Sequence, residues 1–127
     1  MPVQTITWRK GKAVIIDQTR LPHKLVYLDI EDVKSMWHAI KKLKVRGAPA
    51  IGVAGAFGAV LGIQNINTDR YEIFKRRLDG VIKYLVSCRP TAVNLAWALE
   101  RMRKCAEKNK AKNIAAIKSA LLKEALK

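Results

Sequence analysis

The sequence predicts an α+β domain: a short N-terminal antiparallel sheet of about three strands, followed by a bundle of about five helices. Within the first thirty residues, polar and apolar side chains alternate over residues 4–8, the period of a half-buried strand. Beyond residue 31 the apolar residues recur at three and four, the period of an amphipathic helix. The chain has 127 residues, half of them hydrophobic. That predicts one domain over residues 1–127, burying roughly two-thirds of the surface its unfolded chain exposes.

The elements can be justified in order. Residues 4–8 alternate, Arg9-Lys10-Gly11-Lys12 makes a turn, and residues 13–16 return as the second strand of a hairpin. Residues 25–30 form a third strand after the Leu21-Pro22-His23 loop. Over residues 31–43, Val33, Met36, Trp37, Ile40 and Leu43 share one helical face, with Lys34, Lys41 and Lys42 on the other. Asp29, Glu31 and Asp32 read as charges at that helix's start, where they complement its dipole.

The next helix covers residues 49–63. Residues 48–63 bear no charge, but the run is too short to span a membrane comfortably. Gly52, Gly55, Gly58 and Gly62 would each weaken an isolated helix by about 0.5–1 kcal/mol relative to Ala. Their use must be packing, so this is the expected central, buried helix. Asn67-Thr68-Asp69 is the expected cap of the third helix, whose stripe is Tyr71, Phe74, Leu78, Val81, Ile82 and Leu85. Residues 89–108 make the fourth helix, with Val93, Ala96 and Trp97 expected inward and Leu99 and Met102 nearby. The last helix, 111–126, spaces Ile114, Ile117, Leu121 and Ala125 helically. Leu122 and Leu126 fall outside that stripe, so this helix either leads into another domain or chain or has a wide apolar face.

Function is written most densely in Val45-Arg46-Gly47-Ala48-Pro49-Ala50-Ile51-Gly52. Pro49 suits the first helical position, where its missing N–H costs nothing. The backbone donors after it lack intrahelical partners and carry the positive end of the helix dipole. Arg46 adds a forked, charged donor that matches phosphate or carboxylate, and Gly47 leaves the backbone approachable. The run therefore reads as an anion site, most naturally for phosphate. It fits equally well an ordinary entry turn with a solvated arginine. It is not a Walker loop, because Val53-Ala54 stand where Lys-Ser/Thr would be needed, and the later glycines do not form a dinucleotide fingerprint.

Ser87-Cys88-Arg89-Pro90-Thr91-Ala92 repeats the device, again placing arginine before proline and a helical pattern. If both segments face one pocket, Arg46 and Arg89 hold a single phosphorylated ligand from two sides. The alternative is a surface Arg89 beside a favourable helix start.

The net charge of +15 raises a basic nucleic-acid-binding module as a competitor, since such surfaces bind polyanions through counterion release. The charge is spread along the chain and thickens over residues 41–46 and 101–127. The latter holds nine Lys or Arg against two Glu. No recognised nucleic-acid motif accompanies it, and Trp97 alone offers a stacking platform, so this ranks below a phosphate-ligand role. Cys88 and Cys105 have neither metal-ligand nor redox spacing, which predicts no metal and fits a reducing cytoplasm. Residues 1–10 hold no apolar run of signal-peptide length.

In these motifs the chain resembles the N-terminal part of the methylthioribose-1-phosphate isomerases. Val45 to Gly52, Arg89-Pro90-Thr91-Ala92-Val93-Asn94-Leu95, Thr7-Trp8-Arg9 and Ile16-Asp17-Gln18-Thr19-Arg20-Leu21-Pro22 all match, in order, over residues 6–102. The resemblance implies the aldose–ketose isomerisation of methylthioribose 1-phosphate to methylthioribulose 1-phosphate in methionine salvage, without metal or organic cofactor. It implies that Arg46, Gly47, Ala48 and Arg89 bind substrate. It also implies a homodimer. The same fold includes ribose-1,5-bisphosphate isomerase and the regulatory subunits of the guanine-nucleotide exchange factor of eukaryotic translation initiation, so a non-catalytic regulatory or scaffold subunit is the second alternative. Family members are roughly three times as long, with their catalytic cysteine and aspartate in a Rossmann-like C-terminal domain that residues 1–127 do not contain. Cys88 and Cys105 stand outside the Thr-His-Cys-Asn context of that cysteine, and His23 and His38 sit in a loop and a helical segment. No catalytic residue is therefore expected in this chain.

Overall fold

A computed structural model describes residues 6–17, 26–42 and 48–126, without the side chains of residues 48 and 49. The order of elements is β1 (Ile6–Arg9), β2 (Lys12–Ile16), β3 (Tyr27–Ile30), α1 (Val33–Lys41), α2 (Ala48–Ile63), α3 (Tyr71–Val86), α4 (Val93–Lys108) and α5 (Ile114–Leu126). The α+β expectation holds, with three antiparallel strands in the order β1-β2-β3 followed by the helices.

The hairpin is tighter than the four-residue turn expected at 9–12. Arg9 pairs with Lys12, leaving only Lys10 and Gly11 to turn, at φ of 52° and 81°. Positive φ at both central residues gives the twist that joins antiparallel strands. Asp29 lies on β3 rather than at the helix start, and its carboxylate takes a 2.9 Å bond from Lys12 on β2. Asp32 is the N-cap of α1, where its carboxylate accepts the Ser35 amide at 2.7 Å. That bond holds the Asp32 carboxyl below its usual range. Leu43 lies outside the described residues.

Helix α2 is the centre of the bundle. Ala54, Ala59 and Ile63 are fully buried, and Phe57, Val60 and Leu61 nearly so. Its glycines are close-approach sites. A Cβ on Gly62 would stand 2.6 Å from Cγ1 of Val81, and one on Gly55 would collide with Leu95.

The third helix starts later than expected: Arg70, not Asn67-Thr68-Asp69, is its N-cap, and Thr68 contributes only a hydroxyl oxygen that accepts the Arg70 amide at 3.2 Å. Its stripe is as expected, with Phe74, Leu78 and Leu85 buried and Tyr71, Val81 and Ile82 packed against the core.

Helix α4 departs furthest from expectation. It begins at Val93 with Ala92 as N-cap, so Arg89 and Pro90 lie in the turn before it. Val93, Ala96 and Trp97, expected inward, are exposed; Leu95, Ala98, Leu99, Met102 and Ala106 face the core. Two apolar stripes compete on this helix. The winner is the one whose Leu95, Ala98 and Leu99 meet the hollows at Gly52 and Gly55 of α2, because interiors close-pack. Helix α5 buries Ile114, Ile117, Leu121 and Ala125 as expected, while Leu122 is half-buried and Leu126 exposed.

Candidate functional site

The site is set by how the helices run. Along α2, Gly52 meets Asn94 and Ala98 while Gly55 meets Leu95 and Leu99, so contacts advance together on α2 and α4. Against α3 the order reverses: Gly58 meets Leu85, and Gly62 meets Val81. Gly58 also meets Met36 of α1. The starts of α2 and α4 therefore lie together, and α3 runs back along the second half of α2 toward them.

Arg89 is half-buried in the turn between α3 and α4. That turn is built from consecutive backbone bonds: the amides of Cys88, Arg89 and Ala92 donate to the carbonyls of Leu85, Val86 and Arg89 at 3.0–3.2 Å. A side-chain tie fixes it to α1. The Trp37 indole donates 2.9 Å to Oγ of Ser87, whose hydroxyl donates 2.5 Å to the Tyr84 carbonyl. The Trp37 ring stacks on Tyr84 at 5.8 Å between centroids. Two residues before Arg89, the chain is thus pinned to the middle of α1.

Arg46 and Gly47 lie outside the described residues. Their flanks are placed, however: Lys42 is the C-cap of α1, and Ala48 opens α2. The segment bearing Arg46 therefore connects α1, to which the Arg89 turn is tied, with α2, whose Gly52 approaches Asn94 in the first turn of α4.

Neither α2 nor α4 has an acidic residue in its first turn, so neither helix carries a carboxylate of its own at the positive end of its dipole. Cys88 is buried, and burial pushes its thiol up; its own backbone amide, the Arg89 and Lys41 charges and the Arg89 amide oppose this. Both cations thus act on one spot. A thiol raised by burial is the reverse of an activated nucleophile. His38 is exposed on α1, and His23 lies outside the described residues. Among the described residues, no three His, Cys, Asp or Glu side chains gather as a metal site, and no helix is long and apolar enough to cross a membrane. Chemically, the first amides of a helix lack intrahelical partners, and with Arg89 in the turn before α4 such helix starts suit an anion.

The sequence signal missed here was Trp37. It reads as a core residue by periodicity, and only its indole bond to Ser87 reveals that it braces the Arg89 turn.

Comparison with known proteins places the chain. It is 50% identical over all 127 residues to the methylthioribose-1-phosphate isomerase of Geotalea daltonii, covering 37% of that protein. It is 46% identical to the 5-deoxyribose 1-phosphate isomerase of Moorella thermoacetica over 98% of this chain and 36% of that one. The chain thus spans little more than a third of the length of these relatives. Among solved structures, the 5-methylthioribose 1-phosphate isomerase of Pyrococcus horikoshii OT3 matches with a TM-score of 0.90 and 34% identity, over 96% of this chain and 34% of that one. The translation initiation factor eIF-2B subunit delta from A. fulgidus matches with a TM-score of 0.88 and 38% identity, over 98% of this chain and 36% of that one. The model of the initiation factor 2 subunit family matches residues 44–127, which include both arginine segments. The chain is a member of the initiation factor 2 subunit family.

Proposed function

We propose that this chain is the phosphate-clamping part of an aldose–ketose isomerase acting on a pentose 1-phosphate, with methylthioribose 1-phosphate as the substrate and methylthioribulose 1-phosphate as the product. The observation that carries this reading is the gathering of the α2 and α4 starts at one end, each preceded by an arginine segment. Arg46 and the backbone at Gly47 and Ala48 hold the phosphate from one side, and Arg89 neutralises it from the other. A fixed helix start presents N–H groups without reorganisation, so binding loses little to ordering.

Isomerisation moves a proton between adjacent carbons, with a positioned acid or base. The residues of this chain bind and orient; proton movement belongs to a second, Rossmann-like domain, with which this part forms a cytoplasmic homodimeric enzyme. The names of the relatives support the substrate class, since both methylthioribose 1-phosphate and 5-deoxyribose 1-phosphate are pentose 1-phosphates. The likeness to the initiation-factor subunit favours a second reading, a regulatory subunit that senses a sugar phosphate.

The test is a chimera in which residues 1–127 replace the matched part of the Geotalea isomerase. Arg46→Ala and Arg89→Ala should each raise KM and lower kcat/KM by roughly ten- to a hundred-fold, the loss of one hydrogen-bonded charge contact. Unchanged kinetics in both variants refute the assigned site. Ligand binding without turnover in the parent chimera favours the regulatory reading.

A further inference from the structure

We propose that Trp37 is a positioning residue for the phosphate site: through Ser87 it fixes the Arg89 turn against α1, the helix that leads into the Arg46 segment. The proposal rests on the phosphate-clamp reading and deepens it. Trp37 reaches the turn from the middle of α1, where its indole N–H donates to Oγ of Ser87 at 2.9 Å. The Ser87 hydroxyl in turn donates to the Tyr84 carbonyl at 2.5 Å. With its proton and an acceptor site both engaged, that hydroxyl is held in one orientation. The indole is held as well. Its ring stacks on Tyr84, with planes 25° apart, and meets His38 edge-on at 5.1 Å between centroids.

A second contact, deeper in the bundle, joins the same elements. Met36, beside Trp37, and Leu85, two residues before Ser87, both pack on Gly58 of α2, and a Cβ there would stand 3.1 Å from each. Both side chains are fully buried. The core contact alone would leave α1 free to rock against the end of α3. The Trp37 bond at the surface removes that freedom, because two contacts at different depths fix an angle that one cannot.

Helix α1 also bears on the other arginine. Lys41, in its last turn, is near enough to Cys88 to oppose, with Arg89, the burial-driven rise of that thiol. The chain leaves α1 at the Lys42 C-cap and carries Arg46 four residues on. One helix thus holds the Arg89 turn at Trp37 and leads to Arg46 from its end. Fixing such groups before the ligand arrives lowers the ordering cost of binding.

The test is the affinity of the 127-residue chain for ribose 1-phosphate, read from the Arg89 and Ala92 amide shifts, with hydrogen exchange of the same amides in the free chain. Trp37→Phe keeps a ring and removes the donor; Ser87→Ala removes the acceptor. Each should raise Kd about three- to ten-fold, the worth of one hydrogen bond, and speed exchange at Arg89 and Ala92. The double variant should bind no worse than either single one, because both act through one bond. Ser87→Thr keeps the hydroxyl and should bind as wild type does. Asp32→Ala removes a hydrogen bond from the start of the same helix and should leave Kd unchanged. An equal loss of affinity in Asp32→Ala would mark a general loosening of α1 and overturn the positioning role. Wild-type affinity in Trp37→Phe and Ser87→Ala, or losses that add in the double variant, overturns it too. Absence of binding by the wild-type chain refutes the phosphate reading instead, and exchange then decides alone. Faster exchange in Trp37→Phe leaves Trp37 as the residue that holds the turn; unchanged exchange removes it from that role.

Discussion

Helices α2 and α4 both have sixteen residues and both follow an arginine-bearing segment, yet they divide their apolar residues differently. Helix α2 buries nearly its whole circumference, with Val53 its most exposed large side chain. Helix α4 buries one face and leaves Val93 and Trp97 on the other. The difference follows from neighbours. Four helices pack around α2, so every direction is core. Helix α4 presses Leu95, Ala98 and Leu99 into the glycine hollows of α2 and turns its other apolar stripe outward. In α2, apolar composition reports the fold. In α4, it reports the fold on one face only.

Adjacent positions on α4 make the contrast measurable. Leu95→Ala removes a fully buried side chain and should cost about 2–5 kcal/mol through lost burial and a residual cavity, read from denaturant unfolding. Trp97→Ala, two residues on, should change the stability of this chain by no more than about 0.5 kcal/mol, as an exposed site does. Comparable losses at the two positions would break the division of α4 into two faces.

Overpacking α2 comes next in size. Ala54→Leu, at a fully buried position, should destabilise by about 1–3 kcal/mol. Gly62→Ala should also destabilise, because the new methyl meets β-branched Val81, whose χ1 has little freedom to yield. A neutral Gly62→Ala would mean α2 and α3 are less closely apposed than described.

A smaller loss than those from α2 concerns a cap, and it tests how local such ties are. Asp32→Ala should cost about 1 kcal/mol, the usual worth of a side-chain N-cap. The folded carboxyl sits below its ordinary range because it accepts the Ser35 amide. Its contribution is therefore present above the unfolded carboxylate value and lost as pH falls through the folded one. Asp32→Asn keeps an acceptor without the titration. Wild type should be the more stable of the two at neutral pH and should lose that margin in acid; parallel pH profiles would contradict this.

How much was legible follows the same physics. Strand alternation, the uncharged α2 and the stripes of α3 and α5 were readable because one pattern met one environment. Helix α4 was misread because Val93, Ala96 and Trp97 form a stripe as regular as the buried one, and periodicity cannot say which faces inward. The hollows at Gly52 and Gly55 decide that, and they belong to another helix. The Asn67-Thr68-Asp69 cap failed for a related reason: several good capping residues in a row leave the start ambiguous. At the site, the chain order of Arg46 and Arg89 was legible. The tie from Trp37 to Ser87 was not, since it joins residues fifty positions apart.

The central claim is that the end where α2 and α4 begin binds the phosphate of a sugar. Amide chemical shifts of the 127-residue chain, titrated with ribose 1-phosphate and separately with inorganic phosphate, test it most directly. The account predicts saturable shifts concentrated at the amides opening α2, from Ala50 onward, at Arg89 and Ala92, and in the first turn of α4. Shifts spread over the lysines of α3 and α5 without saturation, leaving those helix starts unmoved, would contradict it.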